Sequence, residues 1–188
     1  MPVRGRIDDG DDGHKALSNF QGPVAGAPTG LRATAARYAL LPLRLFLGIT
    51  FTYAGLDKLT DSHFLTGEGP DSISGTLDAV HDSAGLTWMV DLAQHSPQGF
   101  GTALAIGELA VGLGTLAGLW ARLAACGGAV ISFCLWMTMS WASEPYYYGN
   151  DLPYMFCWVP LVLAGAPYWS VDAVLTARRR RRGRQIFG

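Results

Sequence analysis

The chain has 188 residues, 49% of them hydrophobic and 15% charged, with a formal net charge of −1. That balance excludes the global basic field of a nucleic-acid-binding protein. The averages fit a soluble domain as well as a membrane one, so the distribution along the chain carries the information.

Residues 1–33 open the chain with Gly, Pro and Asp in excess. They lack the apolar core of a secretory signal, and Asp8, Asp9, Asp11 and Asp12 do not suit a mitochondrial presequence. A disordered cytoplasmic tail is expected there. The apolar runs that follow are Tyr38 to Leu56, Ala103 to Trp120, Leu123 to Ala142 and a shorter one from Leu152 to Ala166. Crossing the ~30 Å hydrocarbon layer takes about 20 mostly apolar residues, so spans are expected near 38–57, 103–120, 123–142 and 152–167, within a membrane domain of residues 34–175.

The first helix is expected from Thr34 to about Asp57, with Pro42 in its early turns. The segment from Lys58 to Phe100 then carries one Lys and the acidic residues Asp61, Glu68, Asp71, Asp78, Asp82 and Asp91. A connection this long carries structure or function of its own. Short helices are expected around Ser72 to His81 and Leu86 to His95, the latter placing Leu86, Trp88, Met89, Val90, Leu92 and Ala93 in the membrane interface. Small residues at Ala103, Gly107, Ala110, Gly114 and Ala117 or Gly118 give the second long helix a face for close packing. A turn at Ala121 and Arg122 makes helices two and three an antiparallel hairpin. The third helix ends in Trp136 and Trp141, with Tyr146, Tyr147 and Tyr148 beyond, aromatics suited to a membrane interface. Asn150 or Asp151 is expected to cap the fourth helix, Pro153 falls in its first turn, Pro160 kinks it and Pro167 ends it. Ser170 then caps a further helix, with Asp172 in its first turn, leading into a basic tail over residues 176–188.

Read against these spans, thirteen of the fourteen Lys and Arg residues fall on one side, and Lys58 is the exception. The excess of cations on cytoplasmic flanks then gives the orientation. The expected fold class is an all-α integral membrane four-helix bundle in the cell membrane, both termini cytoplasmic, with a long outer segment between helices one and two. Arg178, Arg179, Arg180, Arg181, Arg182 and Arg184 are expected to contact anionic lipid headgroups, at about 1 kcal/mol per residue.

Ionisable groups within spans are costly and mark functional candidates. Arg44 can snorkel to the inner headgroups or reach toward Glu108. Glu108, with its short stem, must face a polar interior, pair with a cation or hold a proton. Thr50, Tyr53 and Asp57 form a polar stripe toward the outer end of the first helix, and Lys58 follows directly. The topology brings Asp57, Lys58, Glu108, Trp136, Ser140, Trp141, Tyr148, Asn150 and Asp151 to similar depth. Taken singly these residues read as a helix-end ion pair between Asp57 and Lys58 and a cap at Asn150 and Asp151. Taken together, aromatic walls with a few donors and proton carriers suit a membrane quinone. Glu108 or Asp57 would carry the proton, and Tyr53, Lys58, Trp136, Ser140, Trp141, Tyr148, Asn150 and Asp151 would bound the ring.

Cys126, Cys134 and Cys157 form no CxxC, which argues against a disulfide-generating oxidase, and all three are expected to be small buried apolar residues. His63, His81 and His95 match no metal template, no histidine lies in a span to ligate haem, and no nucleotide-binding glycine loop is present.

The runs Arg44-Leu-Phe-Leu-Gly, Tyr53-Ala-Gly-Leu-Asp-Lys-Leu59, Gly107-Glu-Leu-Ala-Val-Gly-Leu-Gly, Leu119-Trp-Ala-Arg-Leu and Tyr148-Gly-Asn-Asp-Leu-Pro-Tyr154 follow in order. On them the chain, from about Arg37 to Leu175, resembles the DoxX/DoxD family of small four-helix membrane proteins. The Gly-Asn-Asp-Leu-Pro stretch leans toward the DoxD side, which resembles the small subunit of thiosulfate:quinone oxidoreductase. That resemblance implies thiosulfate oxidation on the outer side, electrons passing to a quinone, and a second protein subunit. Membrane lipids are the other expected partner, together with a possible second copy of the chain. A non-catalytic anchor or assembly subunit is the alternative, since kinship of fold does not transfer chemistry.

Overall fold

The computed structural model describes Gly30, Thr34, Ala35 and residues 38–166, 168–175 and 177. The chain divides into two units, residues 1–36 and 37–188. In the first, the Thr34 N–H donates to the Gly30 carbonyl at 3.2 Å. The expectations for the tail 1–33, apart from Gly30, for Pro167 and for the arginines of the basic tail lie outside the described residues.

The described part of the second unit is helical, with no strand among the described residues. Helix α1 runs Leu41–Thr60, starting later than Thr34 because Pro42 sits in its first turn, where a missing N–H costs no hydrogen bond. It ends where Asp61 leaves helical geometry, and the Asp61 carboxylate accepts from the His63 and Phe64 N–H groups at 2.9 and 3.2 Å. Those bonds cap α2, Ser62–Thr66. Helix α3 spans Ile73–Val80, capped by the Ser72 hydroxyl accepting from Gly75 N–H at 3.1 Å, and α4 spans Thr87–Gln94. Both lie where the sequence places them.

Ile73, Leu77, Val90 and Ala93 bury against one another, with Phe64, Phe100 and Met139 packed around them. Val90 and Ala93 therefore belong to a small protein core and not to a membrane-interface face, whereas Trp88 and Leu92 stay exposed. The Gly85 N–H donates to the Met137 carbonyl at 2.8 Å, tying this outer layer to the third long helix. His81 links α3 to α4: its Nδ1 lies 3.0 Å from Asp82 Oδ1 and its Nε2 2.8 Å from Asp91 Oδ1. Only a doubly protonated ring donates to both carboxylates, and these hydrogen bonds raise the His81 pKa above its ordinary 6.5. A raised folded pKa gives stability that is complete below the unfolded value and lost as pH climbs through the folded one. Amide exchange in α3 and α4, corrected for its intrinsic rate, should therefore quicken as pH rises from 6 to 8. His81→Gln should flatten that dependence; a slope unchanged in the variant would assign it elsewhere.

Helix α5 spans Pro97–Ala117, α6 Ala121–Thr138 and α7 Asp151–Ala164. Helix α1 packs mainly on α5, α6 packs on both α5 and α7, and α1 also touches α7. Close approach rests on glycine. A Cβ on Gly55 would lie 2.5 Å from the Ala105 carbonyl oxygen, and one on Gly112 would lie 2.4 Å from the Thr52 nitrogen. The small-residue stripe is thus divided between two neighbours. Gly107 and Gly114 face Ile131 and Ala124 of α6, while Ala105, Glu108, Gly112 and Thr115 form the buried row, and Ala103, Ala110 and Ala117 are exposed.

The α5–α6 hairpin turns at Gly118 to Trp120, earlier than Ala121 and Arg122. Gly118 adopts φ 64°, and the Leu119 N–H donates to Gly114 O at 3.0 Å. A Cβ at Gly118 would also lie 2.3 Å from the Ser170 Cβ. Ser170 caps the final helical turn, its hydroxyl accepting from Ala173 N–H at 3.1 Å. Asp172 reaches across instead of serving its own helix: its carboxylate accepts from Trp120 N–H at 3.0 Å and Ala121 N–H at 2.9 Å, capping α6. At the other end, Asn150 precedes α7 without a side-chain cap, and α6 stops at Thr138, short of Ala142.

Among the described residues, α5 and α6 are long and apolar enough to cross a membrane, and only 33% and 28% of their apolar windows are buried inside the protein. Helix α1 matches them in length but carries Arg44, Asp57 and Lys58. Large apolar side chains face outward on all four long helices, among them Phe46 and Ile49, Ile106 and Leu113, Leu123 and Val130, and Phe156 and Leu163. An apolar surface of this extent marks a membrane or protein interface. Cys126, expected to be buried, lies on this outer surface.

Candidate functional site

The site grows out of the α1–α5 contact. Gly55 lets α1 lie directly on the backbone of Ala105 and Leu109, the turn that carries Glu108. Lys58, one turn farther along α1, then reaches in, and its Nζ lies 2.9 Å from Glu108 Oε2 and 3.5 Å from the Ala54 carbonyl. The Glu108 side chain is 4% exposed and that of Lys58 24%. A second pair stands beside the first. The Ser140 hydroxyl donates to Asp151 Oδ2, brought there because buried Gly149 packs on the Ser140 Cβ. Asp151 interacts electrostatically with both Lys58 and Glu108.

The Lys58 ammonium forms its ion pair with Glu108, and Asp151 stands near enough to feel the same charge. With every group ionised the cluster carries one uncompensated negative charge in a largely desolvated place, which is costly. One added proton removes it. The arrangement is therefore suited to taking up and releasing a proton.

Of the residues singled out in the sequence, Lys58, Glu108, Ser140 and Asp151 are brought together. Trp136 and Trp141 form a tilted pair with centroids 5.3 Å apart, Trp141 remaining half exposed. Tyr53, Asp57, Tyr148 and Asn150 lie exposed. Lys58 pairs with Glu108, so the simple helix-end pair with Asp57 is replaced by a bond between helices. Tyr148 stacks edge-on against Tyr147.

Arg44 neither snorkels nor meets Glu108. It is 6% exposed, and Nη1 and Nη2 donate to the Tyr168 and Trp169 carbonyls at 2.8 and 2.6 Å. Trp169 has φ 49°, an uncommon backbone state for a bulky residue, and the guanidinium holds that turn. A set of buried polar atoms has no hydrogen-bond partner among the described residues: Arg44 Nε, Thr52 Oγ1, Thr115 Oγ1, Ser132 Oγ and Trp158 Nε1. Their signal was available in the register. Thr52 and Thr115 share helix faces with Gly48 and Glu108, whereas Tyr53 and Asp57 of the more conspicuous polar stripe lie on the exposed face of α1.

A family model described as DoxX matches residues 39–141, covering α1 through α6 and so Lys58, Glu108 and Ser140, but not Asp151. No curated protein and no solved structure matches the chain.

Proposed function

We propose, from the premise that this chain belongs to the DoxX family, that it is the quinone-interacting membrane subunit of a redox complex. Family members are generally membrane proteins associated with redox and quinone-related functions, and the outward apolar surface of α5 and α6 supports a membrane setting for this chain. The finer topology we favour has α1, α5, α6 and α7 as four crossings. The Arg44, Arg122 and Asp172 end would then be cytoplasmic, the Lys58 end outer, and both termini inside the cell.

The observation that carries this reading is the buried Lys58–Glu108 pair with Asp151 and Ser140 beside it. Reducing a quinone to a quinol takes two electrons and two protons. The cysteines Cys126, Cys134 and Cys157 are free thiols, and the electrons are assigned in this reading to a partner subunit. Lys58 favours the negative charge that develops on a quinone oxygen. Glu108 and Asp151 deliver protons to the oxygens, and exposed Asp57 connects them to the outer water. Trp136 and Trp141 offer the ring its stacking surface. Thiosulfate, as donor on the partner side, is the more specific form of the proposal and follows from the DoxD-like Gly149-Asn-Asp-Leu-Pro153 stretch.

Quinone copurifying with the gently solubilised protein, detected by mass spectrometry, is the first expected result. Glu108→Gln, which keeps shape but cannot release a proton, should retain the quinone while slowing its reduction by the partnered protein about 10²-fold. Unchanged turnover would end the catalytic role. The rival reading, a non-catalytic anchor, draws on the fact that Lys58 and Glu108 already satisfy each other. It requires that Glu108→Gln change assembly or stability and that no quinone titrate into the protein.

A further inference from the structure

Between the outer layer and the α5–α6 hairpin lies a cavity of about 180 Å³ that is almost wholly apolar. Val90 and Ala93 of α4 roof it, Leu104 of α5 and Leu135 of α6 form its walls, and Ala103 and Val130 stand at its edge. Ala103 is exposed and Val130 is 60% exposed, so the opening lies on the surface that α5 and α6 turn toward hydrocarbon. Its one hydroxyl, that of Thr138, already donates to the Cys134 carbonyl at 2.8 Å. Apart from the weakly polar Cys134 thiol, no free hydrogen-bonding side chain is therefore offered to a polar guest.

Size and chemistry together decide what fits. Whole-ligand pockets run from about 300 Å³ upward, and a cavity this small holds on the order of six carbon-sized groups at ~30 Å³ each. It suits part of a molecule, the part without oxygens. Its walls lead to the charged cluster along two helices. Leu104 precedes Glu108 by one turn of α5, about 6 Å of rise, and Met139, another wall residue, is followed immediately by Ser140.

We propose that this cavity takes the first hydrocarbon units of a membrane quinone's isoprenoid tail, entering from the bilayer between Ala103 and Val130, while the ring stands at Lys58, Glu108, Ser140 and Asp151. The proposal rests on the quinone reading above and adds a tail-binding subsite to it. Helix α4 is then the roof of a ligand channel and not only a cover for the outer loop.

The test compares the binding of two quinone probes to the full-length protein in nanodiscs, one with an isoprenoid tail of several units and one with the same ring and no tail. Ala93→Phe fills the cavity from its roof. Ala103→Trp, at an exposed position, blocks the opening without entering the packed layer. Either should weaken the tailed probe at least tenfold and leave the tail-less probe unchanged. If wild type binds neither probe, the quinone reading itself falls. If wild type binds both equally, or Ala103→Trp weakens both or neither, the ring site stands and the tail cavity is overturned. Unfolding of Ala93→Phe alone leaves Ala103→Trp to decide.

Discussion

Lys58→Met should destabilise the protein by about 3 kcal/mol, the lower end of the 3–5 kcal/mol typical for breaking a buried ion pair from one side. The cost does not come from losing an attraction. It comes from leaving Glu108, whose side chain is 4% exposed, with its charge and no cation at 2.9 Å. The lower end is appropriate because the Lys58 ammonium stem is still 24% exposed, so water screens part of the interaction. Adding Glu108→Gln to Lys58→Met should recover most of the loss, since the uncompensated charge is then gone. Unfolding in mixed detergent micelles, read as a double-mutant cycle, measures the coupling. If the single and double variants are equally unstable, the pair is merely adjacent and the proton-holding cluster loses its physical basis. Asp151 adds a second readout. With Lys58 removed, two nearby carboxylates are left without its charge, so the single variant should regain stability as pH is lowered, more than wild type does.

Much of the architecture was legible because membrane helices announce themselves by length and hydropathy. The runs ending in Leu56, beginning at Ala103 and beginning at Leu123 correspond to α1, α5 and α6, though α5 starts earlier, at Pro97, and Pro42 and Pro153 stand in first turns as expected. The short helices α3 and α4 fall within the expected ranges Ser72 to His81 and Leu86 to His95. What composition could not supply was rotation about each helix axis. A shift of one position turns a residue by ~100°, enough to move Asp57 outward and Lys58 inward. Sequence position alone therefore groups Lys58, Glu108, Ser140 and Asp151, which the fold brings together, with Tyr53 and Asp57, whose side chains are exposed. Long-range carbonyl and N–H partners were also out of reach. Nothing local says that Arg44 will hold Trp169, or that Asp172 will cap a helix some fifty residues earlier, because those bonds exist only once the chain has turned at Gly118 and again after Gly165.

Rotation is enforced by glycine, and Gly55→Ala should show it. The added Cβ would lie 2.5 Å from the Ala105 oxygen and 2.6 Å from the Leu109 nitrogen, both backbone atoms of a helix that cannot bend away locally. Alanine is the better helix former by about 1 kcal/mol, so an isolated α1 would gain. Overpacking nevertheless costs about 1–3 kcal/mol or more, and relief comes only by moving α1 off α5. The expected result is net destabilisation together with a weakened Lys58–Glu108 pair, because Lys58 is carried on the next turn. Gly107→Ala is the matched control on α5: its nearest neighbour, the Ile131 Cδ1, would be 3.4 Å from the new Cβ, ordinary contact. It should be neutral or slightly stabilising. The decisive measurement repeats the Lys58–Glu108 double-mutant cycle in the Gly55→Ala background. A coupling energy that survives intact there would mean that the ion pair does not depend on the glycine contact. A coupling that collapses would mean that a residue with no side chain sets the geometry of the charged site.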